Sequence, residues 1–190
     1  MRLLVLALAL GTAAQAQSAE TAPPAGWWGG YTAGVVRTVD VDSRSGLLAS
    51  HLYLRTPYGV GPVRVEGGAG VAFDLFGSES VADVRLALAS NVAAGPLLLS
   101  VAGGPALVAA TRPPFLDPGF ADDQGKVLPG LHGSARVVLV IVPPFGIGVE
   151  AFGLTTEEVS YTGVGVSLSF GRLPARAAIR NPPPRPRPAR

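Results

Sequence analysis

Residues 161–170 read YTGVGVSLSF. The even positions, Thr162, Val164, Val166, Leu168 and Phe170, are mostly apolar, and the odd ones, Tyr161, Gly163, Gly165, Ser167 and Ser169, are mostly small and polar. Side chains on a strand alternate between its faces, so this is a strand with two unlike sides. Which side meets water and which meets oil separates a soluble barrel from one that stands in a membrane.

Seven earlier segments share the rhythm and are separated by turn chemistry: Trp28 to Thr38, Gly46 to Thr56, Val63 to Leu75, Val81 to Val92, Leu97 to Ala109, Leu131 to Val142 and Gly146 to Leu154, with the last strand running from Val159 to Phe170. Each is long enough to cross a bilayer as a tilted strand. In the third, Arg64, Glu66, Gly68, Gly70, Ala72 and Asp74 share one face, and Val65, Val71, Phe73 and Leu75 share the other. The fourth sets Asp83, Arg85, Ala87 and Asn91 against Val84, Leu86, Leu88 and Val92, and the sixth sets His132, Ser134 and Arg136 against Val137, Leu139 and Ile141. A soluble barrel with the apolar face inward would show water a surface of Gly and Ala with sparse charges. Small residues with a few charges suit instead the crowded interior of a narrow eight-stranded barrel. The Val and Leu face then meets lipid, where a mid-depth charge costs about 2 to 4 kcal/mol.

The connections alternate as well. VDVDSRS, FGSES, TRPPFLDPGFADDQGKV and TTEE carry Asp40, Asp42, Glu79, Asp117, Asp122, Asp123, Glu157 and Glu158, whereas PYGVGP, AAGP and PPF are short and uncharged. An up-and-down meander puts the two sets at opposite ends, as in outer-membrane barrels with short periplasmic turns and longer outer loops. Trp27, Trp28, Tyr58, Phe145 and Phe170 fall near the short-turn end, and Phe73, Phe76, Phe152 and Tyr161 near the loop end, which predicts two interfacial aromatic girdles. From Trp27 to Phe170 the chain resembles the eight-stranded outer-membrane barrels of the OmpA/OmpX type. The resemblance rests on strand number, loop asymmetry, face parity and a last strand ending in Phe, and it departs from the usual pattern in the residues that follow Phe170. The expected fold is all-β, an eight-stranded antiparallel up-and-down transmembrane barrel over residues 27–171 with a disordered tail over 172–190.

The ends fit export. MRLLVLALALGTAAQAQ has Arg2, an apolar run from Leu3 to Leu10, and Ala14 and Ala16 framing a cleavage site, so residues 1–16 read as a signal peptide and 17–26 as a Pro-rich lead-in. The absence of Cys excludes disulfide scaffolds, lipoprotein anchoring and thiol chemistry. The formal charge of +2 hides a division: residues 17–171 hold 8 basic and 13 acidic residues, while 172–190 hold 6 Arg and no acid. The basic pI therefore belongs to the tail, and nucleic-acid binding is a poor reading of an exported chain with an acidic fold. Pro174, Pro182, Pro183, Pro184, Pro186 and Pro188 keep that tail extended, and its arginines suit a periplasmic tether to cell-wall carboxylates.

The inferred role is structural, or one of surface interaction through the loops, in the outer membrane, as a monomer contacting lipid. No cofactor or metal is expected, since a calcium loop starting at Asp40 would need Glu where His51 stands. A narrow passive channel is an alternative. It is disfavoured because Arg37, Arg55, Arg64, Arg85 and Arg136, paired with Glu66, Asp74, Asp83 and Glu150, should plug the lumen. A soluble periplasmic barrel is another alternative. LHGSARVV also offers His132 and Ser134, with Glu150 opposite Arg136, as the His, Ser and Glu set to which lipid A deacylases owe their activity in similar barrels. That set faces the lumen, away from acyl chains, which makes an enzyme the weaker reading.

Overall fold

A computed structural model describes residues 26–38, 46–74, 80–111, 126–157 and 160–174. The chain forms eight strands: β1 (Trp28–Thr38), β2 (Gly46–Val60), β3 (Val63–Asp74), β4 (Ser80–Ala94), β5 (Leu97–Thr111), β6 (Lys126–Val142), β7 (Phe145–Thr155) and β8 (Ser160–Gly171). Every sequential pair is antiparallel, and β1 pairs with β8 from Trp28 opposite Gly171 to Thr38 opposite Tyr161, closing the cylinder. The signal peptide, the lead-in through residue 25, the acidic connections apart from Glu157, Phe76, the side chain of Asp74 and the tail from residue 175 lie outside the described residues.

Two strands are longer than their turn residues suggest. Pro57, Tyr58 and Gly59 continue β2 through a register irregularity between Arg55 and Gly59, leaving Gly61 and Pro62 as the turn. Likewise Pro129 and Gly130 sit inside β6 opposite Leu107 and Ala106, and pairing resumes beyond them at Leu128 and Val127. Local turn propensity yields there to the partner strand, which runs equally far. At the short-turn end Gly61 and Gly95 take φ of 57° and 60°, the left-handed conformation that a tight hairpin requires.

The two faces are inverted relative to a soluble protein. Val35, Leu52, Leu54, Val84, Leu86, Leu88, Leu107, Val137, Val149, Val164 and Val166 are exposed on the outer wall, while Arg55, Glu66, Asp83, Arg85, Arg136 and Glu150 are buried in the lumen. The interior has three tiers. At the loop end Val36, Ala72, Val108, Phe152, Leu154 and Tyr161 form an apolar cluster with their small neighbours. At the turn end Trp28, Tyr53, Leu98, Val138, Val140 and Leu173 form another. The charged side chains lie between them.

The turn-end cluster revises the barrel's boundary. The Arg172 amide donates to the Trp27 carbonyl at 3.0 Å, and Leu173 folds back beneath the barrel with 7% of its surface exposed. The first residues of the segment expected to be a free tail therefore form the floor of the barrel. Their course is set by burial of the Leu173 side chain.

Candidate functional site

The middle tier is built on two carboxylates. Glu66, on β3, accepts from Arg55 Nε at 3.0 Å and Nη2 at 2.5 Å, and from Arg136 Nη1 at 3.0 Å and Nη2 at 2.8 Å. Arg55 lies directly opposite Glu66 in the β2–β3 register, whereas Arg136 reaches it across the lumen from β6. Such two-pronged contacts match the guanidinium fork to the carboxylate. Glu150, on β7, accepts from Thr32 Oγ1 at 2.5 Å and is bonded to His51 Nε2 at 2.9 Å. Arg136 faces Glu150 in the β6–β7 register, and its Nε lies 2.8 Å from Glu150 Oε1 as an ion pair rather than an aligned hydrogen bond. Arg136 thus bridges both acids.

Aromatic rings close over these cations. The Arg136 guanidinium carbon stands 3.5 Å from the Tyr53 ring centroid, and that of Arg55 stands 4.8 Å from the Trp28 ring. Tyr53 Oη is in turn held at 2.7 Å from Ser169 Oγ. Arg55 also bonds Asn91 on β4. Nearer the loop end, Asp83 pairs with Arg85 at 3.5 Å and accepts from Tyr161 Oη at 3.3 Å. Both side chains lean over β3, where a Cβ at Gly70 would fall 2.6 Å from Asp83 Oδ2 and one at Gly68 would fall 2.9 Å from Arg85 Nε. A side chain at either position would displace the head groups of the ion pair.

Several expected members stand elsewhere. Arg37 is exposed on the outer wall beside Val35, not in the lumen, and belongs to the loop end of β1. An outward charge near a barrel's rim costs only about 0 to 1 kcal/mol. Arg64 faces the turn and donates to the carbonyls of Gly61, at 2.5 Å, and Val63, at 3.0 Å. Among the aromatics, Trp27, Tyr58, Phe73 and Phe170 are exposed on the outer wall, and Phe145 packs against Phe170 with ring centroids 5.4 Å apart. Trp28, Phe152 and Tyr161 instead point inward, buried in the two apolar tiers, so they are not girdle residues. Their parity decides this: each shares a face with the lumen residues of its own strand.

His132, Ser134 and Glu150 do not assemble into a relay. His132 is buried with neither ring nitrogen bonded to another group, Ser134 Oγ accepts from Arg136 Nη2 at 3.4 Å, and Glu150 is committed to Thr32, His51 and Arg136. Among the described residues no three His, Asp or Glu are grouped to hold a metal ion.

A closed eight-stranded barrel of this kind has counterparts among solved structures. Neisserial surface protein A superposes with a TM-score of 0.62 at 10% identity, over 77% of this chain and 97% of its own. Ail, the attachment invasion locus protein of Yersinia pestis, superposes with a TM-score of 0.53 at 12% identity, over 76% of this chain and 95% of its own. The fold is that of the small eight-stranded outer-membrane β-barrels. Identities this low speak for the barrel's architecture alone. No family model and no curated protein sequence matches the chain.

Proposed function

We propose that this chain is a bacterial outer-membrane protein with a structural or surface-interaction role, its lumen closed by the Arg55, Glu66, Arg136 and Glu150 network. The observation that carries the reading is the inversion itself: buried ion pairs inside, and a belt of exposed Val and Leu outside. In water such a belt would drive association, whereas in a bilayer it is matched to hydrocarbon. Among the described residues, apolar clusters lie toward both ends of the charged tier, which favours a plug over a channel. The names of the two similar barrels, a surface protein and an attachment protein, lean toward contacts made by the loops. The expected result is outer-membrane fractionation, faster gel mobility before boiling than after it, and no conductance in a planar bilayer. Steady single-channel currents would instead establish a pore, and recovery of a monodisperse chain without detergent would establish a soluble barrel.

The arginines beyond Pro174 serve in this reading as a periplasmic tether to cell-wall carboxylates, since clustered cations attract anions in a salt-sensitive way. Truncation after Pro174 should leave stability unchanged and abolish salt-sensitive co-sedimentation with cell wall. Truncation after Gly171 should in addition cost about 2 kcal/mol or more, because the buried Leu173 side chain is lost from the floor. Undiminished co-sedimentation of both truncations would remove the tether.

A further inference from the structure

On the outer wall, near the short-turn end, the β1 seam carries a notch of about 430 Å³. Its base is Gly29, which has no side chain on the outward face, and its walls are Trp27, Tyr31, Leu52, Leu54 and Phe170. It is almost wholly apolar, and Trp27 at its turn-side rim is braced edge-on by Tyr58 at 6.0 Å. Gly171, which also lines it, is followed at once by Arg172. The Arg172 amide is fixed to the Trp27 carbonyl at 3.0 Å, its stem lies over Gly26, and the residue is exposed. Arg172 is not part of the lining, but its backbone is bonded to a lining residue, so an apolar slot with an aromatic rim has an exposed arginine beside it, the polarity of a single lipid molecule.

We propose that this notch binds an anionic glycerophospholipid of the periplasmic leaflet, with one acyl chain lying over Gly29 between Leu54 and Phe170 and the phosphate at Arg172. The site rests on the outer-membrane reading, which places the short-turn end toward the periplasm. Charge complementarity selects the occupant. A second copy of this chain would bring a second arginine to the site, and a zwitterionic lipid would bring its own cation beside the phosphate that Arg172 meets. Backbone anchoring means that the guanidinium is offered from a fixed root.

Tryptophan supplies the measurement, because the chain has only two: Trp27, exposed in the notch, and Trp28, buried in the lumen. The full chain is folded into vesicles mixing ordinary lipid with brominated phosphatidylglycerol or brominated phosphatidylcholine, and quenching is read as a relative binding constant. A preference of about fivefold for the anionic lipid is expected, from the energy typical of one arginine near an anionic surface. Arg172→Gln should reduce it to about one, truncation after Pro174 should retain most of it, and soluble glycerol phosphate should not compete. Equal quenching by the two lipids overturns the site while leaving the membrane reading intact, as does an unchanged preference in Arg172→Gln. Loss of the preference on truncation after Pro174 would assign it to the tail and overturn the site as well. Protection of Trp27 by a dimer, seen as quenching that falls with protein density, would give the notch to a second copy. Absence of quenching by either lipid, with no heat-dependent mobility, overturns both the site and the reading it rests on.

Discussion

Replacing Glu66 by Gln is expected to destabilise the folded barrel by about 3 to 5 kcal/mol, the cost of leaving buried charges without their partner. Glu66 takes four hydrogen bonds from two arginines, each with side chains at most 1% exposed, so its loss leaves Arg55 without a carboxylate and Arg136 with Glu150 as its remaining carboxylate. Combining Glu66→Gln with Arg55→Met should cost less than the sum of the two changes, because the second removes a charge that the first has stranded. Urea unfolding in lipid vesicles, followed by tryptophan fluorescence, measures the cycle. Additive losses would mean that the two side chains do not interact. Arg64→Gln, whose contacts are carbonyls at an exposed turn, provides the contrast and should be near neutral.

Val84→Arg should cost about 2 to 4 kcal/mol in a bilayer. Val84 is 63% exposed on the outer wall of β4, opposite Ala69 on one side and Leu107 on the other, with the exposed Leu86 and Leu88 next along the same face. The same change at Thr162, outward-facing beside Arg37 near the loop end, should cost about 1 kcal/mol or less. Refolding yield and unfolding midpoint in vesicles report both. Equal losses at the two depths would mean that the wall does not face hydrocarbon. A lumen substitution by Arg is not a neutral control, since Ala87 is buried against Ala89 and Ala102.

Much of this architecture is legible in the sequence because a strand's period of two survives every interruption. Alternation in residues 63–74 and 80–94 places Glu66, Asp83 and Arg85 on one side without knowledge of any partner. Neighbours directly across a hairpin are also accessible: the short turn at Pro143 and Pro144 brings Arg136 opposite Glu150. What pattern does not reveal is who meets whom across the lumen. The contact of Arg136 with Glu66, or of Thr32 and His51 with Glu150, depends on strand tilt and stagger around the whole cylinder. Trp28, Phe152 and Tyr161 show a different error. Their position near strand ends suggests a girdle, yet parity was the better guide: Tyr161 shares its face with Ser167 and Ser169, and Trp28 shares its face with Thr32. Leu173 could be found by neither route, because a single apolar residue between Arg172 and Pro174 carries no period.

The charged tier also has a consequence for how the cylinder comes to exist. Its bonds join residues 118, 99 and 70 positions apart, drawn from β1, β2, β3, β6 and β7, while the hairpins by themselves supply only the Arg55 to Glu66 and Arg136 to Glu150 pairs. An unclosed sheet entering lipid would carry Glu66 and Glu150 with half their partners missing, in a medium that penalises each shortfall. Partly inserted intermediates are therefore raised in energy relative to both the unfolded chain in water and the sealed barrel. The meeting of β1 with β8 becomes a threshold event, after which the bonds snap into place together. In the outer-membrane reading proposed above, the side chains that meet across the lumen thus double as a latch, making membrane entry all-or-none.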